Sequence, residues 1–181
     1  HDVIIADNAS TDDSIAYIKT FNAIQLIEIS SNLGYAGGYN EALKRIQGKY
    51  DYYLLLNSDI EVAENWISPL LEAMKDQKVA ACQPKIKSLE QNDFFEHAGA
   101  SGGYIDKNYF PFCRGRIFDT IEKDNGQYTD SKIFWASGAC FFISKKNFYK
   151  IGGFDKSFFA HMEEIDLCWR AFNQGYNSYS V

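Results

Sequence analysis

Asp59 closes a short signature, Asn57-Ser58-Asp59, that cuts off the apolar run Leu54-Leu55-Leu56. A carboxylate just past the carboxyl end of a strand lies where open α/β sheets bind ligands. Beside a diphosphate it is a hard-oxygen ligand for Mg²⁺ or Mn²⁺. The same residue types also make turns and cap helices, here one near Glu64. A second strand end, after Val3-Ile4-Ile5-Ala6, opens into Asp7-Asn8-Ala9-Ser10-Thr11-Asp12. There Asp7 can start an Asx-turn, and Ser10 and Asp12 suit helix capping. A third segment runs from Asn32 through Gly34, Tyr35, Gly37 and Gly38 to Asn40. Its glycines let a backbone approach a ligand, and the following helix start favours a negative group. Close helix packing explains the same glycines. The segment is not the dinucleotide fingerprint, so Asn32 and Asn40 carry most of its polar potential. The fourth group is His161-Met162-Glu163-Glu164-Ile165-Asp166. A carboxylate near a helix start is held ionised, the state a general base needs. A solvated acidic face, with Asp166 and Arg170 as an i,i+4 pair, is the competing reading.

Alternating elements must position these groups. Residues 3–6 read as a strand and 12–21 as a helix with Ile15, Ile18 and Phe21 on one face. Leu26–Ile29 is a strand, followed by a helix over about 36–47 with Tyr39, Leu43 and Ile46 inward. Tyr52–Leu56 reads as a continuously buried strand, and about 64–75 as a helix burying Trp66, Leu70, Leu71 and Met74. Val79–Gln83 is a further strand. The alternation implies a parallel sheet with right-handed crossovers. Residues 84–132 break it and read as short strands and loops, a lid or acceptor-side segment. Ile133–Ser144 is strand-rich, interrupted at Ser137-Gly138, and 146–151 is a short helix. A helix over 160–174 is expected to bury Met162, Ile165, Cys168 or Trp169, and Phe172, with Gly175 as its cap.

Composition sets the limits. The 181 residues suit one domain, and 46% hydrophobic content can fill its core. A net charge of −6 argues against a nucleic-acid groove, although Lys44 and Arg45 could form a local basic patch. Cys82, Cys113, Cys140 and Cys168 show no metal spacing, and Cys140 and Cys168 read as buried free thiols. A reducing, cytoplasmic setting fits them. No apolar run approaches the roughly 20 residues of a membrane span.

Taken in order, the segments D-N-x-S-x-D, N-x-G-x-A-G-G-x-N, N-x-D and G-G-F-D…E-E-x-D-L resemble the family 2 glycosyltransferases of the GT-A fold. The likeness is closest to the bacterial rhamnosyltransferase-like branch, whose products enter polysaccharides. It implies an α/β fold: a Rossmann-like, mainly parallel sheet flanked by helices. It also implies a β-α unit before His1, and Val181 stands inside a strand-like run, so the chain reads as a single domain incomplete at both ends. Residues 1–83 would bind nucleotide and 84–181 would serve acceptor and catalysis. The resemblance gives Asp7 the base or ribose, with Asn8, Ser10, Asn32, Gly34, Tyr35, Asn40, Asn57 and Ser58 around the nucleotide. It gives Asp59 the metal, with Asn57 replacing the family's first aspartate. Glu164 matches the catalytic base, one methylene longer than the usual Asp, beside Glu163. Trp135, Gly138 and His161 would meet the acceptor, although a core role for Trp135 is equally consistent. His97 reads as a hydrogen-bonded structural histidine.

The expected activity is inverting, metal-assisted transfer from a nucleoside-diphosphate sugar, dTDP- or UDP-linked, to a glycan or lipid-linked glycan. Peripheral contact with the inner face of a membrane would follow. Two other readings stay open. A sugar-phosphate nucleotidylyltransferase would release pyrophosphate, but the E-E-x-D helix argues against it. A nucleotide-sugar or carbohydrate-binding module would show no turnover.

Overall fold

The computed structural model describes residues 1–97 and 99–181. The elements run β1 (Ile4–Asp7), α1 (Ser14–Ile18), β2 (Gln25–Glu28), α2 (Gly34–Arg45), β3 (Tyr52–Leu56), α3 (Ile67–Ala73) and β4 (Val79–Gln83). Short strands follow: β5 (Gly103–Ile105), β6 (Pro111–Cys113), β7 (Arg116–Ile117), β8 (Thr120–Ile121) and β9 (Ser131–Ile133). The chain closes with β10 (Cys140–Ser144), α4 (Lys145–Ile151), α5 (Glu163–Asn173) and β11 (Asn177–Ser180). Two compact units form: residues 1–50 with 153–163, and residues 51–152 with 164–181. β3 and β4 therefore belong with the segment that follows them rather than with β1 and β2.

In the first unit β1 and β2 pair in parallel, Ile4 opposite Gln25 through Asp7 opposite Glu28. α1 is shorter than its pattern suggests. It buries no residue, and Ser10 does not cap it; the Asp12 carboxylate accepts the Ser14 N–H. With only a short turn of helix, Ile15 and Ile18 are half-buried and Phe21 is exposed. α2 starts at Gly34, two residues early, and buries Ala36, Ala42 and Leu43. Tyr39 is half-buried and pairs edge-on with Tyr35 at 4.6 Å. Arg45 is held by Glu41 and by the Glu28 carbonyl, which ties the expected basic patch into the unit.

The second unit holds a five-stranded mixed sheet of order β3-β10-β4-β11-β9. β3 and β4 run the same way, as a β-α-β unit requires, but β10 inserts between them antiparallel to both. β11 adds in parallel to β4, and β9 closes the far edge antiparallel to β11. The carboxyl ends of β3, β4 and β11 thus share one sheet edge with the start of β10. β4 is buried along its whole length, as a central strand between two neighbours should be. β3 alternates instead: Tyr53 and Leu55 are buried while Tyr52 is exposed, because it forms the edge of this sheet.

α3 covers one sheet face through Leu70 and Met74, which pack with Val79, Cys82 and Phe142. Burying a side chain of this size contributes about 1.5–3 kcal/mol. α3 is only seven residues long, so Leu71 falls outside the stripe and is exposed. α5 buries Ile165, Leu167, Cys168 and Ala171 rather than Met162 and Phe172, which are exposed. Met162 precedes the helix, and the inward stripe is set by Leu167 and Ala171. Gly175 ends α5 as expected, donating to the Phe172 carbonyl at 2.9 Å. Among the described residues no helix is long and apolar enough to cross a membrane.

Candidate active site

β1 delivers Asp7 to its carboxyl end, where the residue is 6% exposed and its Oδ2 accepts the Ser10 N–H at 3.1 Å. Asp7 therefore makes the Asx-turn that opens the following loop, leaving Oδ1 for a ligand. Asn8 is fully engaged. Its amide donates to Asn32 Oδ1 and the Gly34 carbonyl, and its Oδ1 accepts the Leu33 N–H. That stitches the end of β1 to the start of α2, so Asn8 builds the loop rather than offering a free group. Asn32 Oδ1 also accepts the Gly34 N–H at 2.9 Å. Ser10 and Asn32 are exposed.

Gly34 stands at φ +67°, and a Cβ there would meet the Phe159 carbonyl oxygen at 2.1 Å. Its glycine serves close packing, and Tyr35 N–H donates to the same carbonyl at 2.7 Å. The Tyr35 ring packs on Tyr39 and Phe154. Asn40 is also structural: its amide donates to the Phe154 carbonyl at 2.7 Å, and its Oδ1 accepts the Phe154 N–H. The small-residue segment thus clamps residues 154–159, the approach to the acidic pair.

That approach ends in two consecutive residues with positive φ, His161 at +72° and Met162 at +75°. Such backbone costs of order 1–3 kcal/mol for each non-glycine residue and persists where the surroundings impose it. No glycine marks the bend, so the sequence gives no signal for it. Glu163 follows, 3% exposed, with its Oε2 buried and lacking a hydrogen-bond partner among the described residues. Burial pushes its carboxyl above the ordinary range, while its own N–H and His161 pull the other way. His161 itself is exposed.

In the second unit Asn57 continues β3, its N–H donating to the Ala139 carbonyl at 3.0 Å. Ser58 and Asp59 turn outward and are exposed. Gly138 lies in the segment entering β10, beside that contact. The segment is held by Gln83, a wholly buried carboxamide at the end of β4. Gln83 Oε1 accepts the Ser137 N–H at 2.7 Å, and its Nε2 donates to the Gly99 carbonyl. Gln83 is a positioning residue the motif reading missed; its signal was a polar residue closing an all-apolar strand. Trp135 is 7% exposed and donates its Nε1–H to the Tyr104 carbonyl at 3.0 Å. A Cβ on Gly103 would meet the Trp135 ring at 1.8 Å. The indole is packed in the core, which favours the core role over the acceptor-side one.

Glu164 is half-buried in the first turn of α5. One turn on, burial raises the Cys168 thiol to about 11. Asp166 is taken up by Arg170, whose Nε and Nη2 both reach its Oδ2, so that pair is structural. His97 pairs with Arg116 at the surface, as a structural histidine would. Among the described residues no cluster of three His, Cys, Asp or Glu side chains is placed to hold a metal ion. Asp59 is the exposed hard-oxygen donor at the sheet edge, and a cation there would draw its other ligands from a diphosphate.

The sequence model of glycosyl transferase family 2 matches residues 1–152. Among curated relatives, the N-acetylglucosaminyl-diphospho-decaprenol L-rhamnosyltransferase of Mycobacterium tuberculosis is 24% identical over 99% of this chain and 63% of its own. Rhamnosyltransferase WbbL of Escherichia coli is 23% identical over 76% of this chain and 53% of its own. The chain thus spans about half to two-thirds of these two relatives. Among solved structures, GalNAc-T7 with UDP, GalNAc and Mn²⁺ superposes with a TM-score of 0.73 at 17% identity, over 99% of this chain and 36% of that one. Mannosyltransferase PcManGT from Pyrobaculum calidifontis, with GDP-Man and Mn²⁺, gives 0.66 at 13%, over 99% and 45%. Both likenesses establish the fold.

Proposed function

The chain belongs to glycosyl transferase family 2 and has the GT-A fold, and from that premise we propose that it is the catalytic core of an inverting, metal-assisted glycosyltransferase. The observation that carries this reading is Asp59, an exposed carboxylate just past the carboxyl end of β3. It would hold Mg²⁺ or Mn²⁺, which when bound neutralises the charge on a leaving diphosphate. Asn57 in place of a second aspartate leaves the diphosphate as the main source of further ligands.

Asp7, buried at the end of β1, orients the nucleotide through its remaining oxygen. Glu164 serves as general base. As a residue it is half-buried where Glu163 is 3% exposed, and although its Oε2 is buried too, this favours Glu164 over Glu163 as the group that meets an acceptor hydroxyl. It takes that proton as the oxygen attacks the anomeric carbon and the bond to the diphosphate breaks. One base and one direct displacement give inversion. Gly138 and His161 remain the acceptor-side candidates.

The donor is a pyrimidine nucleoside-diphosphate sugar, UDP- or dTDP-linked. A fold neighbour solved with UDP supports this choice, against another solved with GDP-Man. The acceptor is a lipid-linked or growing glycan, and the setting is cytoplasmic. Calorimetry with UDP and dTDP in the presence of Mn²⁺ tests the site. Wild-type protein should bind one of them, and Asp59→Asn should lose the metal-dependent part. Equal affinity in both proteins refutes the metal assignment.

A further inference from the structure

Aromatic rings from three parts of the second unit meet beside α5. The Trp169 ring stands 5.5 Å from Tyr109 and 5.5 Å from Phe134, and Phe134 stands 5.2 Å from Phe172. Their planes cross at 57°, 64° and 44°, so the rings form walls rather than a closed stack. They line an open cleft of about 260 Å³, with Asp106 and Asn173 also on its lining.

The core does not account for this cleft. The inward stripe of α5 is Ile165, Leu167, Cys168 and Ala171, and Trp169 and Phe172 fall outside it. Trp169 and Phe134 are half-buried, while Tyr109 is 71% exposed and Phe172 56%. Tyr109 has φ +69°, an outlier for a bulky residue. Its ring is spent on Trp169 rather than on the buried core. Backbone outliers of this kind gather at ligand clamps. The polar lining is free to act. Asp106 Oδ1 accepts the Asn108 and Phe110 N–H groups, which fixes the carboxylate, and its Oδ2 has no hydrogen-bond partner among the described residues. Asn173 is exposed, and its carboxamide makes no hydrogen bond among those residues.

We infer that this cleft binds one sugar ring of a glycan, at a site apart from Glu164. A pyranose has an apolar C–H face, which lies flat on an aromatic ring, and hydroxyls around its edge. Trp169 supplies the platform. Asp106 Oδ2 accepts from hydroxyls, and Asn173 both donates and accepts. Aromatic walls with a few placed polar groups are what fix a small ligand's orientation. The volume falls below the roughly 300–1,000 Å³ of sites for drug-sized ligands, which suits one ring rather than a nucleotide sugar. A quaternary ammonium also uses aromatic walls and a carboxylate, but it offers Asn173 no hydrogen bond. Trp169 lies about 8 Å along the α5 axis from Glu164 and about 140° around it. The sugar held here is therefore not the one whose hydroxyl Glu164 would deprotonate. The inference rests on the transferase reading only for the source of the glycan, since a simple glycoside needs neither donor nor metal to bind.

The test is saturation-transfer NMR of the protein with the methyl glycosides of glucose, N-acetylglucosamine and rhamnose, without nucleotide or metal. At least one should receive saturation, strongest at its ring C–H protons. Trp169→Leu should weaken that binding at least about tenfold, given the loss of the aromatic face. Asn173→Ala, at an exposed position, should melt as wild type does and bind about threefold to tenfold more weakly. Both variants should keep wild-type affinity for UDP with Mn²⁺. Glycoside binding in a protein that binds no nucleotide would sustain this inference while the transferase reading failed. Three silent glycosides, or Asn173→Ala binding as tightly as wild type, overturn it. Binding of tetramethylammonium without any glycoside overturns it as well, and assigns the cleft to a cation.

Discussion

Asn40 grips the backbone of Phe154, 114 residues away, with both ends of its amide: it donates to the carbonyl at 2.7 Å and accepts the N–H at 3.1 Å. The residue that looked like a nucleotide contact fastens α2 to the segment that leads toward the acidic pair. Asn40→Ala removes both bonds, each a net contribution of roughly 0.5–1.5 kcal/mol. The melting temperature should fall by several degrees. Asn40→Asp keeps only the acceptor and should lie between. A variant with unchanged melting but weakened UDP binding would return Asn40 to the ligand.

Glu163 should make stability depend on pH. Its carboxyl is raised by burial, so the folded state holds the proton more tightly than the unfolded chain. Its favourable contribution is therefore complete below the unfolded carboxyl value, about 4.3, and is lost as pH rises through the raised one. Glu163→Gln removes that dependence. Thermal melts should show the variant gaining on wild type as pH increases from acid to neutral. A difference that stays flat with pH would mean that the carboxyl is solvated.

The thiols offer a check on the core. Cys82, Cys140 and Cys168 are buried, and burial raises all three, Cys140 to about 12 and Cys168 to about 11. Cys113 is half-buried. A chromogenic disulfide reagent near pH 8, below the ordinary thiol value of about 8.5, should titrate Cys113 alone in native protein. All four should react after denaturation. Rapid reaction of a second thiol in the native state would show that the β4–β10 sheet or α5 opens easily.

How far the sequence carried these conclusions depended on the range of each interaction. The strand ending in Asp7 and the strand just before Asp59 were legible because a short apolar run and its acidic stop are local. The cap at Gly175 and the Asp166–Arg170 pair were legible for the same reason. The insertion of β10 between β3 and β4 was not, because Phe142 pairs with Leu54 and Cys82, 88 and 60 residues away. Trp135 read equally as a sugar platform or a core group, because Gly103, whose backbone closes on its ring, lies outside its local sequence. Asn8 and Asn40 looked like ligand contacts because their partners, Gly34 and Phe154, lie 26 and 114 residues away. Helix faces failed where helices proved short, as at Leu71. The strained His161–Met162 bend left no mark in residue type.

Glu164 carries the proposed chemistry, and its direct test is kcat with a competent donor and acceptor. Glu164→Gln keeps the side chain's shape and removes the proton acceptor. Nucleotide binding should survive while kcat falls by roughly 10²–10⁴, the usual share of general-base catalysis. Glu163→Gln should cost less, since adjacent helical positions point about 100° apart. A Glu164→Gln enzyme that turns over at the wild-type rate would contradict the account. If Glu163→Gln were instead the inactive one, the base would be the buried carboxyl beside it.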